Sequence, residues 1–489
     1  MGNYLALDFG ASSGRGIIGR FDGKRFTLEE VHRFSNDPVI ASGMMSWDVL
    51  RLFFETKAAL AAAAAAGGVI SAAIDTWGVD YGYIDRNGML MANPCHYRDS
   101  RTEGMGSELS TRIPQERLYE ITGVMPQSIN TIYQLTSDCI VRPWLPDNAK
   151  NILMMPDLLA YMLTGEVGCE YTIASTGGYL DARCRKVSEE VLEAAGIAPE
   201  LFAPVITAGT VRGQILRSIC SECGMDDTSI VTAASHDTAS AVLAVPASEK
   251  DFLFLSSGTW SIMGVETDAP VISKESFAGG FSNEGGAFGD VTLIRNIMGL
   301  WLEQESRRQW KREGRTYSFD DLSRAAEASE PCRSIIVPDD QVFSPAGDMP
   351  GRIADYCRRT GQRVPETHGE IVRCIFDSLA LCYRHTAEKL ESLSGKKYPK
   401  IYVVGGGTKE KLLSQITADC TGKVVAAGPA EATAFGNIAI QALASGEIGN
   451  AAELKEILAN ADEVQTFEPN NSSRDMWDDA YERYLKLAK

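Results

Sequence analysis

The chain lacks an excess of positive charge. Its 47 Lys+Arg stand against 65 Asp+Glu, a formal net charge of −18. That balance argues against nucleic acid or an anionic membrane surface as a partner. It also means that an anionic ligand must be held by local devices: backbone N–H groups, helix N-termini or a divalent cation. A disulfide or zinc framework is missing too. The 11 Cys are scattered at irregular spacing, and only Cys220 and Cys223 form a CxxC. With no second pair to complete a ligand set, a structural zinc is not expected. An odd count of this kind suits reduced thiols and a cytoplasmic protein. The start of the chain has no basic segment followed by an apolar stretch, so no signal peptide is expected. No run of about 18 apolar residues offers a membrane span. Neither GxxxxGK[ST] nor GxGxxG occurs, which removes the P-loop and the dinucleotide fingerprint. A Ser-His-Asp triad is not indicated, since His236 next to Asp237 in sequence is no acid–base pair by that fact alone.

What is present is a globular composition, 44% apolar and 23% charged over 489 residues, long enough for two domains. The organising stretch is Ile230–Leu243, IVTAASHDTASAVL. An apolar run, Ile230 to Ala234, reads as a buried strand, and a helix follows from Ala239. The polar residues Ser235, His236, Asp237 and Thr238 between them then lie at the carboxyl edge of a sheet, where open α/β folds bind ligands. Asp237 has two readings, a helix cap or a charged proton acceptor.

Two hairpins frame this stretch. Tyr4–Phe9, the turn Gly10-Ala11-Ser12-Ser13-Gly14 and Arg15–Phe21 make the first; Phe252–Leu255, Ser256-Ser257-Gly258-Thr259 and Trp260–Val265 repeat its design. Donor-rich tips of this kind suit phosphate oxygens, and Asp8 at a strand end is placed to hold hydrated Mg²⁺. The likeness points to an internal duplication, with a linker at Pro246 and Glu249-Lys250-Asp251 and domains over 1–245 and 246–489. Asp48 caps a helix through the alanines, ending at Gly67-Gly68. A strand Val69–Ile74 then delivers Asp75-Thr76-Trp77-Gly78. Trp77 and Gly78 suit a sugar, one by its aromatic face and the other by close backbone approach, although a core Trp is an equal reading. Residues 105–165 read as helical, 172–180 as a short β excursion, and Arg295-Asn296 as the entry to a helix carrying Gln304. Ile371–Leu393 reads as a long helix. Ile401–Val404 reads as a strand opening into Gly405-Gly406-Gly407 and a helix to Cys420. The tail from Ala451 reads as acidic and helical.

Taken together, DFGASSGR (8–15), IDTWGVDYG (74–82), HYRDSRT (96–102), ASHDTASAV (234–242), LSSGTW (255–260), NEGG (283–286), RNIMGLW (295–301), VGGG (404–407) and AGPAEATAFGN (427–437) resemble the FGGY carbohydrate kinases, and within them the L-rhamnulokinases. The resemblance implies an α/β fold of two actin-like (RNase H-type) domains facing each other over a catalytic cleft. It implies ATP with Mg²⁺ and transfer of the γ-phosphate to the 1-hydroxyl of L-rhamnulose. Asp237 matches the general base. Gly78, His236 and Thr238 match sugar contacts, with Trp77 and Asn296 beside them. Ala11, Ser12, Ser13, Gly14, Arg15 and Thr259 match phosphate loops. Gln304, Gly405 and Gly406 match the nucleotide site, and Asp8 the metal position. After the triglycine the chain departs from the family pattern with Thr408-Lys409-Glu410-Lys411. A monomer or small homo-oligomer acting on a ketose and ATP is expected. L-Fuculose or L-ribulose are alternative acceptors, and an actin- or chaperone-like ATPase without a sugar is the rival class.

Overall fold

The computed structural model describes residues 2–247, 249, 251–459 and 464–488. The chain forms two compact units. The first comprises Met1–Ala244, Glu266–Leu293 and Ala432–Ala461; the second comprises Val245–Val265, Ile294–Glu431 and Asp462–Lys489. The first crossing falls next to the boundary read at 245, but the second half of the chain returns to the first unit twice. Of the linker read at 246–251, Ser248 and Lys250 lie outside the described residues.

In the first unit the strand Asn3–Phe9 is apolar almost throughout and buried from Tyr4 onward. That pattern belongs to a central strand covered on both faces. It pairs antiparallel with Ser13–Phe21 on one side and parallel with Ser71–Thr76 on the other. Ser229–Val231 follows in parallel and Val211–Gln214 closes the edge antiparallel. Helix Val49–Ala65 makes the crossover to Ser71–Thr76, capped by Asp48, whose carboxylate accepts from the Arg51 N–H. Leu5, Leu7, Phe9, Ile18, Leu52, Leu60 and Ile74 meet in one apolar cluster that also takes in Trp47 and Trp77.

The second unit repeats this order. Leu253–Ser257 pairs antiparallel with Trp260–Thr267 and parallel with Lys400–Val404. Val424–Ala427 follows in parallel and Gln465–Phe467 antiparallel. Hairpin, two parallel neighbours and an antiparallel edge therefore occur in the same spatial order in both units, which extends the duplication from the two hairpins to whole sheets. Helix His368–Ser394, opened by a Thr367/Glu370 capping box and closed by Gly395 in the left-handed region, precedes the strand Lys400–Val404.

Several local readings are corrected. The helical stretch 105–165 contains a strand, Ala149–Met154, paired with Tyr81–Asp85. The β excursion at 172–180 begins as a short helix, Tyr171–Ser175, which the Glu170 carboxylate caps by accepting from the Thr172 and Ile173 N–H groups, and only Leu180 of it is in a strand. Asn296 lies within a strand, Val291–Met298, and the helix carrying Gln304 begins only at Trp301. After the triglycine a 3₁₀ turn, Gly406–Lys409, precedes the helix Lys411–Thr421. All 11 Cys are free. No described helix is long and apolar enough to cross a membrane.

Candidate active site

The first unit gathers most of the predicted site residues at the carboxyl ends of its parallel strands. Ser229–Val231 is shorter than the strand read from sequence, and the helix begins at Asp237 with His236 as its N-cap. The link between them is tied to the neighbouring strand: the Thr76 N–H donates to the Ser235 carbonyl at 2.9 Å, and Thr76 bridges His236. Helix Asp237–Leu243 packs against helix Ala432–Ala444. At Gly436 an added Cβ would lie 1.9 Å from the Ser240 carbonyl oxygen, so glycine is what permits the approach.

Asp237 is therefore not the cap. Its Oδ1 accepts from the N–H of Thr238 at 2.6 Å and from the Thr238 hydroxyl at 3.2 Å. Its side chain keeps 33% exposure, the most open carboxylate of the group. Burial pushes its carboxyl above the ordinary carboxylate value. The His236 charge and the Thr238 hydrogen bonds pull it back and Asp8 pushes it up again, leaving a net rise. A partly open carboxylate raised in this way is suited to accept a proton. His236 sits between two carboxylates, with Nε2 3.4 Å from Asp237 Oδ1 and Nδ1 3.2 Å from Glu284 Oε2.

Asp8, the penultimate residue of the first strand, is in register with Asp75. Arg15, on the returning strand opposite, holds the Asp8 carboxylate at 2.5 Å. At the hairpin tip the Asn36 side chain and N–H take the carbonyls of Gly10 and Ser12. The N–H groups of Ala11 and Ser12 have no protein acceptor among the described residues, which leaves donors for an anion. Gly14 has a packing reason: a Cβ there would fall 2.1 Å from the Phe34 ring.

Sequence reasoning missed Asp75. It is fully buried, accepts from Asn437 Nδ2 at 2.6 Å, and its Oδ1 has no partner among the described residues. Burial, then the charge of Asp8, hold its carboxyl well above the usual range. Only the distance of 362 residues between Asp75 and Asn437 hid the pair.

Trp77 needs a correction. The indole is buried, its ring centroid lies 4.1 Å from that of Trp47, and its N–H donates to Asp80 at 2.9 Å. The ring is committed to the core, so the aromatic face expected for a sugar is not presented. The following residues are shaped by packing: a Cβ at Gly78 would meet the Thr176 side chain at 3.1 Å. Val79 is held at φ 71° with its N–H on the Thr176 hydroxyl and its carbonyl on Thr131. A β-branched residue in the left-handed region is strained, which marks a loop held by its surroundings.

In the second unit, Gly258-Thr259 forms the tip of the other hairpin. The Leu300 and Trp301 N–H groups donate to the Gly258 and Thr259 carbonyls, each at 3.0 Å. The Thr259 hydroxyl donates to Gln304 Oε1 at 3.1 Å, so the predicted phosphate and nucleotide residues of this unit meet. Gly405 has φ 86°, and a Cβ at Gly407 would lie 2.0 Å from Ser257 Oγ; Gly406 opens on free space. Glu303, beside Gln304, was also missed. It is buried with neither carboxyl oxygen partnered among the described residues. Burial and the charge of Glu410 push it up to about 8. Asn296 belongs to the second unit, whereas Gly78, His236 and Thr238 belong to the first.

Comparison with known proteins adds independent findings. Residues 3–244 match the N-terminal domain of the FGGY family of carbohydrate kinases, and residues 253–445 match its C-terminal domain. A rhamnulokinase of Bacteroides thetaiotaomicron is 41% identical over 480 residues, 98% of each chain. One of Enterococcus faecalis is 39% identical over 95% of this chain and 93% of its own. Among solved structures, a xylulose kinase of Lactobacillus acidophilus superposes with a TM-score of 0.83 at 15% identity, covering 100% of this chain and 98% of that one. A Plasmodium falciparum glycerol kinase with ADP gives 0.80 at 16% identity, covering 99% and 98%. At these identities the structural likeness concerns the fold, a two-domain actin-like arrangement, while the family matches and the full-length relatives settle the kinship. The chain belongs to the FGGY family of carbohydrate kinases.

Proposed function

We propose that the chain is an ATP-dependent sugar kinase that transfers the γ-phosphate to the 1-hydroxyl of L-rhamnulose. The observation that carries the substrate is the identity of 41% to a protein named rhamnulokinase, spread over 98% of both chains. In this reading Asp237 accepts the proton of the sugar's primary hydroxyl as the oxygen attacks the γ-phosphorus in line. Phosphoryl transfer needs little covalent help, so orientation and charge stabilisation supply most of the acceleration. His236, Thr238 and Gly78 are the sugar contacts of the first unit, and Asn296 is the candidate of the second. The tip Ala11, Ser12, Ser13, Gly14 and Arg15 takes phosphate oxygens by backbone and side-chain donors. In the second unit Thr259, Gln304, Gly405 and Gly406 are the nucleotide candidates.

The residues fit Mg²⁺ at Asp8. Asp75 Oδ1, without a partner among the described residues, belongs to a carboxyl that the Asp8 charge helps to keep protonated, and a divalent cation there would favour the ionised form of both carboxyls. Mg²⁺ commonly takes one or two carboxylates and completes its shell with phosphate oxygens and water. When bound it neutralises charge on the β- and γ-phosphates. Arg15 orients Asp8 at this position. Free thiols throughout support a reducing, cytoplasmic setting.

A coupled assay of ATP consumption against L-rhamnulose, L-fuculose, L-ribulose and D-xylulose tests the reading. L-Rhamnulose is expected to give the highest kcat/KM, with the phosphate on C1 by ³¹P–¹H correlation. ATP turnover that no ketose raises overturns it in favour of an ATPase, and tenfold preference for another ketose overturns the acceptor.

A further inference from the structure

The NEGG segment contains a residue that neither the mechanism nor the predicted site uses. Glu284 lies on the strand Ser282–Gly285, far in sequence from His236, yet its Oε2 is 3.2 Å from His236 Nδ1. The other ring nitrogen faces Asp237 Oδ1 at 3.4 Å. A neutral imidazole has one N–H, and an ionised carboxylate only accepts. Carboxylates at both nitrogens are matched only by the doubly protonated ring. The His236 and Glu284 side chains keep 11% and 12% exposure, so water competes weakly for either.

One five-residue helix sets both members of the pair. In Tyr171–Ser175 the Thr172 hydroxyl accepts the His236 backbone N–H at 3.1 Å, and the Ser175 hydroxyl accepts the Gly285 backbone N–H at 2.7 Å. Those two hydroxyls are three residues apart and hence on one face. The strand is pressed against this helix: a Cβ at Gly285 would come 2.6 Å from the Tyr171 ring. On the far side, the Asn283 side chain donates to the Gly123 and Val271 carbonyls. Glu170 caps the same helix and accepts the Ser235 N–H at 3.2 Å. The charged groups around the ring are thus Glu284, Asp237 and Glu170. Burial alone lowers the His236 pKa, but the Glu284 hydrogen bond and charge, followed by Asp237 and Glu170, outweigh it and leave it raised.

We propose that Glu284 is a positioning residue for phosphoryl transfer: it holds the His236 ring, protonated on both nitrogens, against the Asp237 carboxylate. The proposal rests on Asp237 as the general base. Its first readout does not depend on that role. The fixed cation keeps the Asp237 carboxylate ionised and pointed, and so favours the proton-accepting form. Without Glu284 the ring is free to lose its proton or turn, and Asp237 loses the neighbouring charge.

Histidine-labelled full-length protein tests this, because the chain has only five His. The imidazole signal absent from His236→Gln is expected to titrate above the ordinary histidine value. In Glu284→Gln its midpoint falls by about one pH unit, and Glu284→Asp, which keeps the carboxylate, restores most of it. In steady-state kinetics the acidic limb of kcat/KM moves to higher pH in Glu284→Gln, kcat drops about tenfold, and the KM for ATP stays unchanged. A His236 midpoint the same in wild type and Glu284→Gln overturns the proposal, whatever the sugar specificity proves to be. Should Glu284→Gln not fold, Glu284→Asp decides: a titration and acidic limb close to wild type support the pairing, and a lowered His236 midpoint with the carboxylate present contradicts it. A shift of the His236 midpoint with no change in the acidic limb confines Glu284 to a structural role and likewise overturns the proposal.

Discussion

At the scale of residues, the carboxylates divide by what surrounds them. Asp237 is partly open and braced by Thr238; among the described residues, Asp75 is buried with one oxygen unpartnered and Glu303 with both. For Glu303 the folded value of about 8 stands above the ordinary 4.5. The stability that the protonated folded carboxyl contributes is intact below about pH 4.5 and is lost as the pH rises through about 8. The full loss is on the order of 3–5 kcal/mol. Glu303→Gln cannot ionise, so its urea midpoint should fall less between pH 6 and pH 9 than that of the wild type. Equal falls in the two proteins would show that Glu303 does not titrate in the folded chain. Residue identities at this scale were partly legible. Asp237, His236, Thr238 and Asp8 stand in local patterns of strand end and turn. Asp75 with Asn437, and His236 with Glu284, are partners only through the fold, and no window of sequence joins them.

At the scale of elements, glycines separate packing from ligand approach. Gly436 lets two helices of the first unit meet at a backbone carbonyl, whereas Gly406 has nothing within 4 Å of its would-be Cβ and no left-handed φ. Gly436→Ala should therefore destabilise by roughly 1–3 kcal/mol through overpacking, visible as a lower Tm. Gly406→Ala should leave Tm within a degree or two and raise the KM for ATP if nucleotide approaches that turn. A Tm drop in Gly406→Ala, or none in Gly436→Ala, would contradict the packing description. The strands of both hairpins were legible from their apolar runs, as was most of the long helix His368–Ser394 from its amphipathic pattern, read over Ile371–Leu393. Asn296 was misplaced because an apolar-polar stretch before a helix reads equally as its first turn, and only pairing within a sheet resolves it. Trp77 was open for a related reason: an aromatic at a strand end serves a ligand or a core, and here Trp47 and Asp80 occupy it.

At the scale of the whole molecule, the same five-strand order occurs in each unit, and the sequence showed this only at the two hairpins. By their contacts, 266–293 and 432–461 rejoin the first unit, which no break in composition announces. A helix of small apolar residues such as Ala432–Ala444 announces burial without saying which core receives it. Those returning segments supply Glu284, Asn437 and Gly436, so the chain's second half builds much of the surroundings of the proposed base. With a net charge of −18, a kinase must hold its triphosphate through local donors, and in the proposed function the chemistry turns on a single carboxylate, Asp237. The most direct test is single-turnover transfer from ATP to L-rhamnulose by Asp237→Asn, with ATP binding measured on the same protein. Transfer at least ~100-fold slower than wild type with ATP affinity unchanged is the predicted result, and transfer at a near-wild-type rate would contradict it.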